Sequence, residues 1–398
     1  MRITHVVTLV SDDAAYGGPV SVATGQLAAL AERGHQVALL ALWRGAGPAP
    51  AALGGVPLRA HRARTLVPGQ GFLGLLHPGL VAALWRAAGE EGVLHVHAGR
   101  DLVSLTAVAC AVLRRRPFLV QTHGMVAPRG ALLARCFDLL YLPLLRRARQ
   151  VLALTGREEA GLRRLLGRGR RGARLARLPN GVRPPAQAPP PAARPAGPVP
   201  DVLFLARLHA RKRPEAFVRM AALVRREHPD AEFTLHGADE GQLAPVRRLI
   251  AAERLEGPVR YGGPLDHAAA LRRIARATVY VLPSVDEPFP MGVLEAMAAG
   301  TPVVCTASCG IAEELGRAGA ALVTDGSPAA LARAVSRLVD DAALHRRVAA
   351  AGRSLVAARF SVDRVADRLE RLYAQALEPG PPATAVRPGG TSSPPAGR

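Results

Sequence analysis

A proline-rich stretch divides this sequence into two long segments and limits what the chain can fold into. Residues 183–200 read RPPAQAPPPAARPAGPVP. Proline at this density cannot continue a helix or a central strand, so the stretch is predicted to be a semi-rigid spacer between domains. A second biased run, at 379–398, is rich in proline, glycine, threonine and serine and predicts a disordered tail.

Short apolar runs alternate with helical patterns on both sides of the spacer. We predict strands at residues 3–10, 36–42, 93–97, 118–122 and 151–154, and again at 201–206, 232–235, 279–283, 302–305 and 321–323. Helices are predicted at 20–33, 213–227, 329–338 and 362–377. The strand runs are rich in β-branched residues and mostly continuous, which is typical of buried parallel strands. The pattern predicts an α/β protein with two Rossmann-like, doubly wound domains that face each other across a cleft.

Composition supports two cores and excludes several other classes of protein. The 398 residues are 49% hydrophobic, which excludes a disordered polymer and a disulfide-stapled mini-protein. No apolar run reaches the roughly 20 residues of a membrane span, and the amino terminus meets acidic residues too early for a signal peptide. The four cysteines have neither a disulfide framework nor a CxxC pair, so we expect a reducing, cytoplasmic compartment and no metal site. We divide the chain into a first domain at 1–182, the spacer at 183–200, a second domain at 201–360, a C-terminal helix at 361–378 and the tail at 379–398.

The charge of the chain is unevenly distributed. Residues 1–200 carry 26 arginines and 9 acidic residues, a net charge of +17, whereas the remaining residues carry +4. A genomic bias towards arginine would act on both segments alike, so the asymmetry indicates an anionic partner for the first domain. A membrane surface, a polyanionic substrate and a nucleic acid all fit this charge. The apolar segment Leu132–Leu145 beside Arg146 favours the anionic inner face of a membrane, unless that segment is buried core.

The segment at 282–304 has the richest chemistry, and it reads LPSVDEPFPMGVLEAMAAGTPVV. A strand is predicted to end before Glu287, at the edge of the sheet where ligands bind in open α/β folds. Glu295 lies eight residues later within the following helix, and the N–H groups of Met291 and Gly292 begin that helix and offer partial positive charge to an anion. Two carboxylates can bind sugar hydroxyls while the helix start binds a phosphate. An ordinary exposed helix with two solvated glutamates is the alternative.

This segment resembles the retaining glycosyltransferases of family 4, which have the fold called GT-B. Their hallmark is two glutamates separated by seven residues, matched here by Glu287 and Glu295, although many relatives have glycine where Pro290 stands. The resemblance implies that Glu287 contacts the donor sugar and that Glu295 binds the ribose of the nucleotide. It also implies that the first domain binds the acceptor and the second binds a nucleotide sugar.

The resemblance extends to glycines near phosphate-binding turns. Gly17 and Gly18 follow the first strand and match a glycine loop of the family, although Gly-Gly-Pro by itself also fits a plain turn. Gly237 follows a strand in the second domain and matches another glycine on the phosphate side. By this resemblance, Gly17, Gly18, Gly237, Met291, Gly292 and Glu295 bind the donor.

Basic residues and histidines complete the expected site. Arg207 and Lys212, the only lysine of the chain, match a family pair that binds the donor pyrophosphate, whereas Arg211 and Arg213 are interpreted as solvated. His123 ends a strand and matches a family histidine beside the donor sugar, and an ordinary strand-end histidine is its alternative. The catalytic residues implied are therefore Glu287, His123, Arg207 and Lys212. His95 and His97 share one face of a strand, but a metal site there needs further ligands that the sequence does not indicate.

The predicted function is the transfer of a sugar, with retained configuration, from a nucleotide-sugar donor to a glycan, glycolipid or other acceptor. Without an Asp-x-Asp motif we expect no divalent metal and no cofactor besides the donor, a UDP- or GDP-sugar. Such a reaction fits cell-envelope polysaccharide or glycoconjugate synthesis, at the inner face of the membrane if the basic domain binds there. The alternatives are a nucleotide-sugar epimerase or phosphorylase of the same fold, an inactive relative, and a non-enzymatic polyanion-binding protein. Nucleic acid is not an expected partner, because the chain lacks a recognised binding motif and only 4% of its residues are aromatic.

Overall fold

A computed structural model describes residues 1–12, 17–126, 132–167, 174–183 and 199–378. Most of the spacer predicted at 183–200, and the whole tail predicted at 379–398, lie outside the described residues. Within the described part, no helix is both long and apolar enough to cross a membrane.

The first domain is built on an eight-stranded sheet with the strand order β10-β9-β8-β7-β1-β2-β4-β3. All neighbouring strands are parallel except β3 and β4, and the short strands β5 and β6 form a separate antiparallel pair. The strands are β1 (Arg2–Ser11), β2 (Gln36–Arg44), β3 (Ala52–Leu53), β4 (Val56–Arg62), β5 (Arg64–Thr65), β6 (Leu75–Leu76), β7 (Val93–His97), β8 (Phe118–Gln121), β9 (Gln150–Ala153) and β10 (Leu175–Arg177).

Five α-helices connect these strands in the described part of the first domain. They are α1 (Gly17–Glu32), α2 (Pro78–Gly89), α3 (Leu102–Leu113), α4 (Leu132–Leu145) and α5 (Gly156–Leu166). Polar side chains set where two of them begin, because a side-chain oxygen can accept from the unpaired N–H groups of a first turn. Asp101 accepts from the N–H of Ser104 at 2.8 Å, and Thr155 accepts from the N–H of Glu158 at 3.2 Å.

The second domain is built on a six-stranded, all-parallel sheet with the order β13-β12-β11-β14-β15-β16. Its strands are β11 (Asp201–Leu205), β12 (Glu232–His236), β13 (Val259–Tyr261), β14 (Val279–Leu282), β15 (Val303–Thr306) and β16 (Leu322–Thr324). Its helices are α6 (Pro214–Val224), α7 (Leu243–Ala252), α8 (His267–Arg276), α9 (Met291–Ala299), α10 (Ala312–Arg317), α11 (Pro328–Asp340) and α12 (Ala342–Leu355). The two sheets with helices on their faces confirm the predicted fold class.

The last helix, α13 (Val362–Leu377), returns to the first domain. Its Leu369 and Tyr373 are fully buried in the same core as Ile3 of β1 and Leu27 of α1. At its start, a Cβ on Gly181 would lie 2.8 Å from the Cα of Val362, so only glycine allows this close crossing of the chain. The carboxyl-terminal segment therefore closes the core of the first domain rather than that of the second.

Every predicted strand is present, with ends within two residues of the prediction. The strands that sequence reasoning missed are β3, β4, β5, β6, β10 and β13. Most have only two or three residues, which is too short for an apolar run to stand out. The longer β4 lies near the sheet edge and alternates buried and exposed residues around Pro57, so it lacks the continuous apolar pattern of the central strands.

Candidate functional site

The two sheets present their carboxyl edges to each other. A Cβ on Gly124, just after β8, would lie 3.3 Å from the Cβ of Pro288, which belongs to the loop between β14 and α9. Nearby, Arg157 of α5 forms an ion pair with Asp286 at 3.3 Å. The loops that follow β8 and β14 therefore meet across the cleft.

A buried ion pair lies in this region. Lys212, in a turn after β11, donates a hydrogen bond to Oε2 of Glu287, in the loop after β14. Only 15% of the lysine side chain and 8% of the glutamate side chain are exposed. The N–H of Gly310 also donates to the backbone carbonyl of Glu287 at 2.8 Å, which holds the loop in place. The structure thus brings together two of the residues expected to be catalytic.

Arg207 has a different partner. Its guanidinium is about half exposed and pairs with Glu240, which follows β12. Arg211 is exposed, as expected, but the interpretation of Arg213 as solvated is wrong. Arg213 has left-handed backbone and donates to the carbonyl of Gly326 at 2.9 Å, so it ties two loops together.

Glu295 lies in the second turn of α9, with 18% of its side chain exposed. Burial raises the pKa of its carboxyl above the usual range, and the imidazole of His267, 3.9 Å away, partly opposes that rise. Burial, together with the charges of Glu295 and Glu287, also raises the pKa of Tyr280, whose hydroxyl donates to the carbonyl of Leu205 at 3.0 Å. The two glutamates therefore lie near one buried tyrosine, although they come from a loop and a helix.

The start of α9 lies directly against the sheet. Pro290 precedes the helix and makes no side-chain hydrogen bond to its first turn. A Cβ on Gly292 would lie 2.5 Å from the hydroxyl oxygen of Tyr280, so glycine is required there by packing. The first turn, with Met291 and Gly292, therefore faces the carboxyl end of β11, where Lys212 also lies.

The remaining candidate glycines have different surroundings. Gly237 follows β12 with φ +147°, and a Cβ there would overlap the carbonyl oxygen of Ala206, so backbone packing alone explains this glycine. Gly17 begins α1, and a Cβ on Gly18 would have no heavy atom of the described residues within 4 Å. Gly18 thus borders open space at the carboxyl edge of the first sheet.

His123 lies just after β8 in left-handed backbone, with φ +49°. Glu158 of α5 holds this strained turn, because one of its carboxylate oxygens accepts from the hydroxyl of Thr122 and from the N–H of Gly124, both at 2.5 Å. Sequence reasoning missed Glu158, whose position in the first turn of a helix resembles an ordinary helix-start acid.

A chain of hydrogen bonds connects His123 to the last helix. Its Nε2 lies 2.7 Å from Nδ1 of His97, whose Nε2 lies 2.9 Å from Nδ1 of His5. The hydroxyl oxygen of Tyr373 then lies 2.9 Å from Nε2 of His5 and 2.7 Å from Nδ1 of His95. His5, His95, His97 and Tyr373 are fully buried. We name these four residues and His123 the histidine chain. Sequence analysis singled out three of its histidines but not His5 or Tyr373.

In the histidine chain, the position of the proton on His95 sets the direction of every hydrogen bond. Burial lowers the pKa of His5 to about 3, and burial also lowers the pKa values of His95, His97 and His123, so all four imidazoles are neutral. Nε2 of His95 is buried and has no partner among the described residues. Each neutral imidazole has one donor nitrogen and one acceptor nitrogen, so all hydrogen bonds of the histidine chain run in one direction. With the proton of His95 on Nδ1, Tyr373 donates to His5, His5 to His97 and His97 to His123, and the proton of His123 is on Nδ1.

The same cluster has the donor set of a metal site. One ring nitrogen from each of His5, His95 and His97 lies within 4.8 Å of the others. The third ligand that the sequence did not indicate is thus supplied by β1. Two of these imidazoles, those of His5 and His97, have both nitrogens engaged in the hydrogen bonds described above.

Comparisons with known proteins agree with this geometry. Residues 17–181 match the glycosyl transferase 4-like domain, and residues 192–355 match glycosyl transferases group 1. Glycogen synthase of Mycobacterium tuberculosis is 29% identical over 70% of this chain and 68% of its own length. A D-inositol 3-phosphate glycosyltransferase of Arthrobacter is 35% identical over 36% of this chain and 35% of its own length.

Solved structures share the arrangement of both domains. HepE of Anabaena, solved in complex with UDP, superposes with a TM-score of 0.74 at 17% identity, over 94% of this chain and all of that one. Sucrose-phosphate synthase of Thermosynechococcus elongatus gives 0.71 at 23% identity, over 94% and 98%. The fold of the chain is the fold of these GT-B glycosyltransferases. Both matching family models describe glycosyl transferases, and the two segments together identify the chain as a glycosyltransferase of the GT-B type.

Proposed function

We propose that this glycosyltransferase belongs to family 4 and moves a sugar from a nucleotide-sugar donor to a glycan, glycolipid or other acceptor with retention of configuration. The observation that carries the proposal is the buried Lys212–Glu287 pair at the carboxyl ends of β11 and β14. A UDP-sugar is the favoured donor, with a GDP-sugar as the alternative. Supporting relatives are HepE, solved with UDP-glucose, and an Escherichia coli trehalose-6-phosphate protein solved with UDP-2-fluoroglucose.

Each polar residue has a proposed role in this reaction. Glu287 and His123 contact the donor sugar, and Glu295 binds the ribose hydroxyls. Gly17, Gly18, Gly237 and the first turn of α9 lie along the diphosphate. Lys212 and Arg207 stabilise the charge on the departing nucleoside diphosphate, at a few kcal/mol for each well-placed donor. Arg207 exchanges Glu240 for the diphosphate when the donor binds.

The chemistry is a substitution at the anomeric carbon. The bond from this carbon to the diphosphate oxygen breaks, and its electron pair leaves with the nucleoside diphosphate. The acceptor hydroxyl attacks from the face that the leaving group vacates, and an oxygen of the leaving diphosphate takes its proton. Because the chain has no Asp-x-Asp motif, the proposal includes neither a metal ion nor a cofactor, and the positive charge comes from the residues named above.

Charge and exposed leucines support a membrane location for the first domain, on the cytoplasmic side. Leu139 and Leu140 of α4 are 76% and 68% exposed, and Arg146 and Arg147 follow this helix directly. All four cysteines are free, which suits a reducing compartment. A lipid-linked acceptor of cell-envelope synthesis would be met at this surface.

Paired substitutions of the two glutamates test the assignment. E287Q should abolish transfer but keep most of the nucleotide affinity, because Glu287 is assigned to the sugar. E295Q should weaken UDP binding by about 1.5–3 kcal/mol, the size of a lost charge-assisted hydrogen bond. Calorimetric titration with UDP, GDP and ADP, and NMR of the product's anomeric proton, measure both effects. Wild-type turnover in both variants would show that the site is elsewhere, and donor conversion without an acceptor would indicate an epimerase.

A further inference from the structure

Six arginines line one cavity on the first domain, away from the cleft. The cavity has a volume of about 430 Å³, and none of the described residues that line it is acidic. The six, which we call the arginine pocket, are Arg115, Arg116, Arg146, Arg147, Arg149 and Arg174.

The parallel sheet brings these residues together from separate parts of the sequence. Arg116, Arg149 and Arg174 precede the adjacent strands β8, β9 and β10. The N–H of Arg149 donates to the carbonyl of Phe118 at 3.0 Å, and the N–H of Val151 donates to that of Arg174 at 2.8 Å, so the three turns lie side by side. They lie at the amino edge of the sheet, opposite the edge where His123 lies.

Among the described residues, no carboxylate forms an ion pair with any arginine of the pocket. Nearby arginines differ, since Arg163 and Arg177 both pair with Glu159. Arg146 is held in place by neutral contacts, donating to the carbonyl of Leu166 at 3.1 Å. One guanidinium nitrogen of Arg116 is buried and has no partner among the described residues. Burial lowers the pKa of this arginine, and the charges of Glu91 and Glu90 partly oppose that effect. Six positive charges around one cavity repel one another, and a bound anion would relieve that repulsion.

We propose that the arginine pocket binds a ligand with two or more phosphate groups. A guanidinium group can donate two parallel hydrogen bonds to the oxygens of one phosphate. Six guanidinium groups around this cavity can therefore contact more than one phosphate at once. A soluble polyphosphate and the headgroup of a phospholipid such as cardiolipin share this chemistry. The proposal does not rest on the transfer reaction, because no residue of the cleft takes part.

The test compares two double variants that lose the same charge. R147Q/R174Q removes two exposed arginines of the pocket, and R346Q/R371Q removes two exposed arginines of α12 and α13 as the control. Each protein is titrated calorimetrically with inorganic triphosphate and with orthophosphate, while saturating UDP occupies the cleft. Sedimentation with vesicles of pure phosphatidylcholine, or of phosphatidylcholine with cardiolipin, forms the second arm.

The pocket variant should lose at least about tenfold in affinity for triphosphate, the cardiolipin vesicles, or both, and the control should lose almost nothing. A loss confined to triphosphate identifies a soluble ligand, and a loss confined to vesicles identifies a lipid headgroup. Equal binding by both variants in both arms would overturn the proposal. A random oligonucleotide is titrated in the same way, and tighter pocket-dependent binding of it than of triphosphate would also overturn the proposal. If UDP produces no thermal shift in any variant while triphosphate binding still depends on the pocket, the proposed function fails and this inference stands.

Discussion

At the scale of single residues, Lys212 and Arg207 show how similar motif residues differ in their surroundings. Lys212 pairs with a buried carboxylate, whereas the guanidinium of Arg207 is about half exposed and pairs with Glu240 at the surface. Removing one partner of a buried pair leaves an uncompensated charge, but an exposed pair contributes little to stability. The free energy of unfolding of their variants should therefore distinguish the two residues, although both are assigned to the leaving group.

K212A and R207A should each lower kcat by orders of magnitude, because both side chains are assigned to charge that is greatest in the transition state. K212A should also lower the free energy of unfolding by about 3 kcal/mol, whereas R207A should leave it within about 0.5 kcal/mol of wild type. Urea denaturation and steady-state kinetics measure the two effects. Unchanged kcat in both variants would remove them from the mechanism.

The histidine chain makes stability depend on pH. His5 is neutral in the folded protein, since burial lowers its pKa to about 3, but an unfolded histidine takes up a proton below about pH 6.5. The contribution of neutral His5 to the free energy of unfolding is thus complete above pH 6.5 and is lost as the pH falls towards 3. In this window H5Q should reduce the slope of unfolding free energy against pH by up to about 1.4 kcal/mol per pH unit. Urea denaturation at several pH values gives the slopes, and equal slopes would contradict a neutral His5.

At the scale of elements, the turns between strands and helices determine where a ligand can approach. Gly18 opens α1 beside open space, whereas Gly237 lies where two strand ends come into backbone contact. A side chain would therefore meet different surroundings at the two glycines, although both are proposed to lie along the diphosphate.

G18A should leave the protein as stable as wild type or raise its stability by up to about 1 kcal/mol, since alanine favours a helix. If Gly18 contacts the donor, the same change should weaken UDP-sugar binding. G237A should lower the melting temperature, because its Cβ overlaps the carbonyl oxygen of Ala206 at positive φ. Thermal denaturation with and without UDP-glucose separates the effects. Unchanged donor affinity in G18A would remove Gly18 from the donor site.

At the scale of the whole molecule, basic charge and exposed apolar side chains are both found on the first domain, and α13 ties that domain to the end of the chain. Arg33, directly after α1, forms ion pairs with Asp367 at 2.7 Å and Glu370 at 2.8 Å, so the last helix neutralises some of this charge locally. Among the described residues, the arginines around α4 form no ion pair with an acidic residue of α13.

The first domain should therefore bind vesicles that contain phosphatidylglycerol but not vesicles of phosphatidylcholine alone. Binding should fall away near roughly 0.5 M salt, where screening shortens to a few Å. L139Q/L140Q should weaken it, and L377Q, at a leucine exposed on α13, should not. Sedimentation measures the bound fraction. Equal binding to both kinds of vesicle would leave a soluble acceptor as the better interpretation.

The sequence by itself determined ten strands of the two sheets, four of the helices, and the position of Glu287 in a loop and of Glu295 in the helix that follows it. These features depend on neighbours in sequence: apolar runs, helix-start and helix-end residues, and prolines. Only the tertiary structure decided which distant residues meet. Tyr373 reaches His5 across 368 positions, Lys212 reaches Glu287 across 75, and the arginine pocket collects side chains from three turns. Such contacts arise when parallel strands align their ends and α13 crosses back, and no local pattern records that packing.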